Sequence, residues 1–274
     1  MILEKVIPKI EIQSEYQNFV DTYIDEIRAE FNENIHSLYM CGSIPKGTAT
    51  PFKSDADFTI LCENPEDIDY AKVSAIKDRM LKEYPFLTKI DTIICSIDDV
   101  TSRPHEWGFW IKVICICVYG KDIGEKVPPI VISPAFILDL NIETREEVER
   151  IRHSLSNAGD RSMEIRYTKG YSKRLLRALY SLILEDTGVW QDDMGQMKND
   201  LLNYCEIDSA IVEYLYACYL NSDVSAEEFL KIADEAYRYV EKALHAMAVS
   251  RDSLRNEANE RKLLACISGM AGRE

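Results

Sequence analysis

Glycine and proline are scarce, at 11 and 9 of 274 residues, which excludes collagen-like and low-complexity chains. Histidine is scarcer still. His36, His105, His153 and His245 are scattered without ligand spacing, no Ser-His-Asp or Cys-His order is legible, and none is assigned a role. No apolar run approaches the roughly 18 residues that span a bilayer. The longest, Ile111–Tyr119 and Ile130–Leu140, are strand-length or broken by Ser133 and Pro134. The start, MILEKVIPKIEIQSEYQ, threads charges through every short apolar stretch, unlike an export signal, so the expected compartment is the cytoplasm. Eight cysteines (Cys41, Cys62, Cys95, Cys115, Cys117, Cys205, Cys218, Cys266) form no CxxC pair and no finger-like spacing with histidine. They read as reduced, buried thiols, with Cys115 and Cys117 on one face of a strand.

Positive charge is also in deficit. Lys and Arg number 32 against 47 Asp and Glu, a formal net charge of −15. Residues 1–140 carry a net −9 and residues 141–274 a net −6, so the excess is no detachable acidic tail. Such a surface repels phosphate backbones at long range and attracts cations. This counts against nucleic acid as a partner and favours a small cationic one. The 46% of hydrophobic residues suffices for one large or two modest cores.

Tyr16, Phe19, Val20, Tyr23, Ile24, Ile27 and Phe31 recur at helical spacing, predicting an amphipathic helix over 13–33. Strands are expected at His36–Cys41, Asp55–Cys62, Thr88–Ser96 and Trp110–Val118, with a helix over 66–84. The Gly/Pro-bearing YGKDIGEKVPP comes next. From Thr144 the texture becomes helical: Arg145–Leu155, Met163–Thr187, Gln196–Tyr204, Asp208–Asn221 and Ser225–Arg251. Ser225 and Glu228 fit a capping box at the last of these. The expected fold is therefore α+β, a mixed sheet with flanking helices over residues 1–140, then an all-helical bundle over 141–274.

One segment carries chemistry: a strand ending in Gly42 and Ser43, a short loop with Lys46, Gly47 and Lys53, and a strand opening as Ser54-Asp55-Ala56-Asp57-Phe58. Strand side chains alternate, so Asp55, Asp57 and Thr59 share one face while Ala56, Phe58 and Ile60 take the other. Two adjacent carboxylates repel unless a cation lies between them, and all-oxygen ligation suits Mg²⁺. A Gly-Ser turn leaves backbone N–H groups open to a polyphosphate. Asp91, within the β-rich run Lys89-Ile90-Asp91-Thr92, supplies a third carboxylate if its strand pairs beside the first. Three carboxylates can hold two divalent ions for an in-line phosphoryl displacement. Lys46 and Lys53 are either surface lysines or charges that neutralise a triphosphate. The aromatic HEWGFW at 105–110 is either a packed corner between domains or a platform for a ring.

GSxxxG followed by SDADF, with a later strand aspartate, resembles the DNA polymerase β-like nucleotidyltransferase superfamily over about residues 36–96. The resemblance implies that Asp55, Asp57 and Asp91 are catalytic metal ligands for Mg²⁺. It also implies that Gly42, Ser43, Lys46 and Ser54 serve the phosphates of ATP or another nucleoside triphosphate. RLLRALYSLILEDTGVWQDDMGQMKNDLL at 174–202 resembles the helical domain of the streptomycin/spectinomycin-type aminoglycoside nucleotidyltransferases, which brings in Lys198 as a further phosphate contact. The expected function is transfer of a nucleoside monophosphate, AMP from ATP, to a hydroxyl of a small acceptor such as an aminoglycoside, with release of pyrophosphate. The alternatives are nucleotidylation of a protein partner, as in antitoxin-like relatives, and a catalytically silent nucleotide-binding module.

Overall fold

The computed structural model describes residues 1–220 and 224–270, the side chains of Glu33 and of residues 251–270 aside. Asn221, the expected end of one helix, and the side chain of Cys266 therefore lie outside the described residues. Two compact units emerge: Ile2–Ile130, and Met1 with Val131–Glu274. The boundary expected near residue 140 has its counterpart at 130/131. Helix α4, Pro134–Leu140, packs with later helices of the second unit. Its Ser133 cap accepts a bond from the Phe136 amide.

The first unit is built on a four-stranded mixed sheet: β1 (Ile35–Cys41), β2 (Ala56–Cys62), β3 (Ile90–Ser96) and β4 (Ile116–Gly120), ordered β3-β2-β1-β4. β1 is antiparallel to β2 and β4, whereas β2 and β3 are parallel. A parallel pair needs a long crossover, and helix α2 (Tyr70–Glu83) supplies it. Helix α1 (Ser14–Phe31) and α2 cover one face. Their apolar stripes enter a core with Leu38, Met40, Ala56, Phe58, Ile60 and Ile90. The Phe58 ring lies 4.2 Å from that of Tyr23 and 6.1 Å from that of Phe19, centroid to centroid. Because the core takes Ala56, Phe58 and Ile60, the period of two sends Asp57 and Thr59 to the opposite face.

The run expected as a strand from Trp110 to Val118 departs from the alternation. Pro104–Gly108 and Trp110–Ile114 are wide helical turns, and β4 begins only at Ile116. Tertiary hydrogen bonds outweigh local pattern here. The Trp110 indole N–H donates to Thr59 Oγ1 at 2.9 Å, and Lys112 Nζ donates to the Gly124 carbonyl at 2.9 Å. Phe109 is buried in the same segment, so the aromatic run packs within the first unit. Cys115 is buried just before β4 and Cys117 half-buried inside it. The short helix α3 (Ile97–Ser102) leads into this segment from a capping box between Ser96 and Asp99.

The second unit is helical throughout its described residues: α4, α5 (Thr144–Ser156), α6 (Arg161–Leu182), α7 (Leu184–Thr187), α8 (Met194–Tyr204), α9 (Ser209–Leu220) and α10 (Ala226–Met270). α6 is its axis, burying Tyr171, Leu175, Leu176, Leu179 and Tyr180 against α5, α8, α9 and α10. The single helix expected over 163–187 is divided at Ile183 into α6 and α7, and Gly188, left-handed at φ +70°, ends α7. No helix among the described residues is long and apolar enough to cross a membrane.

Candidate active site

The acidic face of β2 becomes a site through register. In the parallel pair Asp57 stands opposite Asp91, and Asp55 precedes Ala56, the first residue of β2. Carboxylate oxygens of Asp55, Asp57 and Asp91 all lie within 4.8 Å of one another. Among the described residues they form the one group of His, Cys, Asp or Glu side chains that converges in this way. Asp55 is exposed and the other two are half-buried, so the cluster opens to solvent. Three ionised carboxylates at this separation repel by about 3 kcal/mol per pair at an effective dielectric near ~20. That repulsion is tolerable at a wet surface and is reversed by a cation. An all-carboxylate donor set fits a hard divalent ion such as Mg²⁺.

The loop before β2 is held by its own hydrogen bonds. Gly42 ends β1 at φ +82°, a conformation that costs any other residue, and a Cβ there would stand 3.1 Å from Asp57 Oδ2. The Ser43 hydroxyl donates to Ser54 Oγ at 3.1 Å, and Ser54 Oγ also accepts from the Thr50 amide at 2.8 Å. The Thr48 amide donates to the Ser43 carbonyl at 3.0 Å. Gly47 passes so close to the Glu11 carbonyl that a Cβ would sit 2.4 Å from its oxygen. Ser54 is tied to the third strand as well, its carbonyl accepting from the Thr88 amide (3.2 Å) and hydroxyl (3.0 Å). Gly42, Ser43, Ser54 and the three aspartates thus belong to one locally braced structure. Lys46 is half-buried in the loop and Lys53 exposed.

Lys198 belongs to the second unit, on α8. Its Nζ lies 3.5 Å from Glu213 Oε1 and 5.3 Å from the centre of the Tyr216 ring. Two features went unused in the sequence reading. Lys89, two residues before Asp91 on the same strand face, places its Nζ 2.6 Å from Asp91 Oδ2. The strand alternation that picked out Asp91 also points to it. The Thr59–Trp110 bond is the other, and no local pattern foretells a contact across 51 residues.

Among the described residues, no cysteine joins the acidic cluster. None of the seven with described side chains is in a disulfide. Burial, helped by nearby carboxylates, pushes the Cys62 thiol up to about 11 and the Cys95 thiol up to about 12, so both stay protonated at neutral pH.

Residues 20–104 match the family model described as the nucleotidyltransferase domain. No curated protein matches the chain in sequence. Among solved structures, the chain is similar to a spectinomycin adenyltransferase, AAD(9), from Enterococcus faecialis, solved with ATP and spectinomycin. The match has a TM-score of 0.54 at 12% identity and covers 83% of this chain and 98% of that one, a likeness of fold. With its GSxxxG loop, its SDAD strand and the aspartate opposite, the segment 20–104 matches a nucleotidyltransferase domain, within a chain similar in fold to a spectinomycin adenyltransferase.

Proposed function

We propose that this protein transfers AMP from ATP to a hydroxyl group of a small cationic acceptor of the aminoglycoside class, releasing pyrophosphate. The observation that carries the reading is the convergence of Asp55, Asp57 and Asp91 at one sheet face beside the braced Gly42–Ser43 turn. The three carboxylates would hold Mg²⁺, whose positive charge would stabilise the triphosphate and its leaving group. Gly42 and Ser43 would present backbone N–H groups to the phosphates, and the Ser43 hydroxyl would reach them only by giving up its bond to Ser54 Oγ. Lys46 adds positive charge in the same loop. Lys198 would reach a phosphate only by giving up Glu213 and the Tyr216 ring. Asp91 also serves as the base that accepts the acceptor's hydroxyl proton, being the carboxylate contributed by a separate strand. Most of the barrier reduction comes from positioning and charge.

ATP and an aminoglycoside are favoured because AAD(9), of like fold, was solved with ATP and spectinomycin. At 12% identity that support is an analogy of fold. The net charge of −15 is independent support, since it draws in a cationic acceptor and repels tRNA or a primer strand. The second unit, residues 131 onward, is the proposed acceptor-binding domain. The test is pyrophosphate release by the purified protein with Mg²⁺, each of the four nucleoside triphosphates, and a panel of aminoglycosides. ATP- and aminoglycoside-dependent release, with an acceptor heavier by AMP in the mass spectrum, is expected. Turnover seen only with a protein or tRNA acceptor would overturn the choice of acceptor.

A further inference from the structure

The face that gathers the three aspartates also carries a cation of its own. β2 and β3 run parallel in register, with Ala56 opposite Ile90 and Asp57 opposite Asp91. The Ala56 amide donates to the Lys89 carbonyl at 2.9 Å, so the pairing reaches back to Lys89. Alternation, carried one residue back from the start of each strand, then puts Lys89 and Asp91 on the same side as Asp55 and Asp57. Lys89 Nζ lies 2.6 Å from Asp91 Oδ2, well inside ion-pair distance. The four side chains sum to a formal −2, the charge that a single divalent ion neutralises. The pair is open to water, with Lys89 54% and Asp91 41% exposed. Exposed ion pairs of this kind are weak, and lysine's charge sits on a flexible four-carbon stem with no fork to lock it in place. The contact is therefore strong enough to occupy Asp91 and weak enough to be exchanged.

We propose that Lys89 is a positioning residue: its ammonium holds Asp91 toward the cluster until a divalent ion takes that carboxylate, so metal binding here exchanges a tethered cation for a diffusible one. The inference rests on the reading of the three aspartates as a metal site. It deepens that reading by giving Asp91 a partner in the metal-free protein and by setting the affinity for the ion. Removing the ammonium while keeping the stem removes the competitor and lowers the charge of the face by one. The Lys89→Met variant should bind Mn²⁺ roughly two- to tenfold more tightly than the wild type. Lys89→Arg, which keeps the charge, should stay near the wild-type value.

The experiment titrates the full-length protein with Mn²⁺ alone, reading free ion by electron paramagnetic resonance, for wild type, K89M, K89R, D91N and K89M/D91N. Melting curves with and without Mn²⁺ accompany it. Tighter binding in K89M and a larger Mn²⁺-induced rise in its melting temperature are expected, with most of the gain lost when Asp91 is already Asn. Unchanged or weaker binding in K89M overturns the role of Lys89 and leaves the metal site standing. An equal gain with and without Asp91 also overturns it, because the lysine would then act on the whole face and not through Asp91. A wild type that binds no Mn²⁺ overturns both readings. None of these readouts depends on turnover, so an inactive variant remains informative.

Discussion

The two units differ in how their chemistry is written. In Ile2–Ile130 the candidate groups sit at short, fixed spacings on adjacent strands, and one rule of alternation with one register brings them together. In the helices from Val131 onward, every charged residue recurs among many similar ones. Buried polar groups there mix local bonds, such as Ser172 to the Thr168 carbonyl, with a long-range one, Asn141 to Ser181, 2.8 Å apart across 40 residues. A strand pair is a ruler with a period of two, so a local motif has one spatial meaning. An amphipathic helix offers a stripe whose neighbours depend on how the whole bundle packs. The convergence of the candidate groups is consequently legible in the first unit, whereas acceptor recognition in the second is a proposal about a surface.

The largest expected effect tests that contrast at its centre. Asp57→Asn should lower nucleotidyl transfer by about 10³-fold or more, since it removes charge from the proposed metal site. Its metal-free melting temperature should be unchanged or higher, because one repelling charge is gone. Substantial remaining turnover would break the metal-site assignment, and a large drop in the metal-free melting temperature would recast Asp57 as structural.

Next come paired core truncations. Phe58→Ala, at a residue 2% exposed between the rings of Phe19 and Tyr23, should cost about 3–5 kcal/mol. Leu176→Ala, on the fully buried side of α6, should cost about 2–5 kcal/mol. Binding of a fluorescent ATP analogue, measured below the unfolding transition, should weaken in the first variant and persist in the second. Loss of nucleotide binding in both would show that the helical unit shares the nucleotide site, and the sharp contrast between units would dissolve.

Smaller effects probe the loop and the strand end. Gly42→Ala forces a Cβ into left-handed backbone beside Asp57 Oδ2, at about 1–2 kcal/mol. Its loss of activity should exceed what its melting shift accounts for, since the strain falls beside a carboxylate of the proposed metal site. Ser96→Ala removes the cap of α3 at about 1 kcal/mol. The Ser96 side chain, and then its backbone amide, hold the Asp99 carboxyl below the usual carboxylate range. A depressed folded value means that this contribution is present above the unfolded carboxylate pKa and is lost as pH falls through the folded one. The melting difference between wild type and Ser96→Ala should therefore shrink on acidification and stay level from about pH 5 upward. A difference that grew in acid would reverse that assignment.

How far the chain could be read before its fold was known depends on the range of the forces involved. The helical stripe of α1 and the β2 alternation were visible because each is set by residues within a few positions. The turns at 104–114 were not: KVICIC alternates like a strand, yet Trp110 and Lys112 are drawn to Thr59 and Gly124 by bonds local pattern does not encode. The helix at 134–140 was hidden by its apolar brevity and by Pro134, which suits the first turn of a helix as well as a break. The shared face of Asp55 and Asp57 and the turn at Gly42 and Ser43 were legible from local pattern, and as a site they remain a proposal. Lys89 was in plain view beside Asp91 but is ordinary until its ammonium is seen on the carboxylate.

By itself, then, the sequence determined which face of β2 is acidic, where the glycine turn falls, and that a helical half comes after a mixed one. Period and backbone sterics act over two to four residues, and no tertiary contact is needed to state them. Only the tertiary structure decided that β3 pairs with β2 in parallel with Asp91 opposite Asp57, that Lys89 stands against the triad, and that the chain divides at 130/131. Those outcomes depend on strand order and register, which are chosen by the shared burial of α1, α2 and the sheet. That burial is a property of the whole first unit, written in no single stretch of its chain.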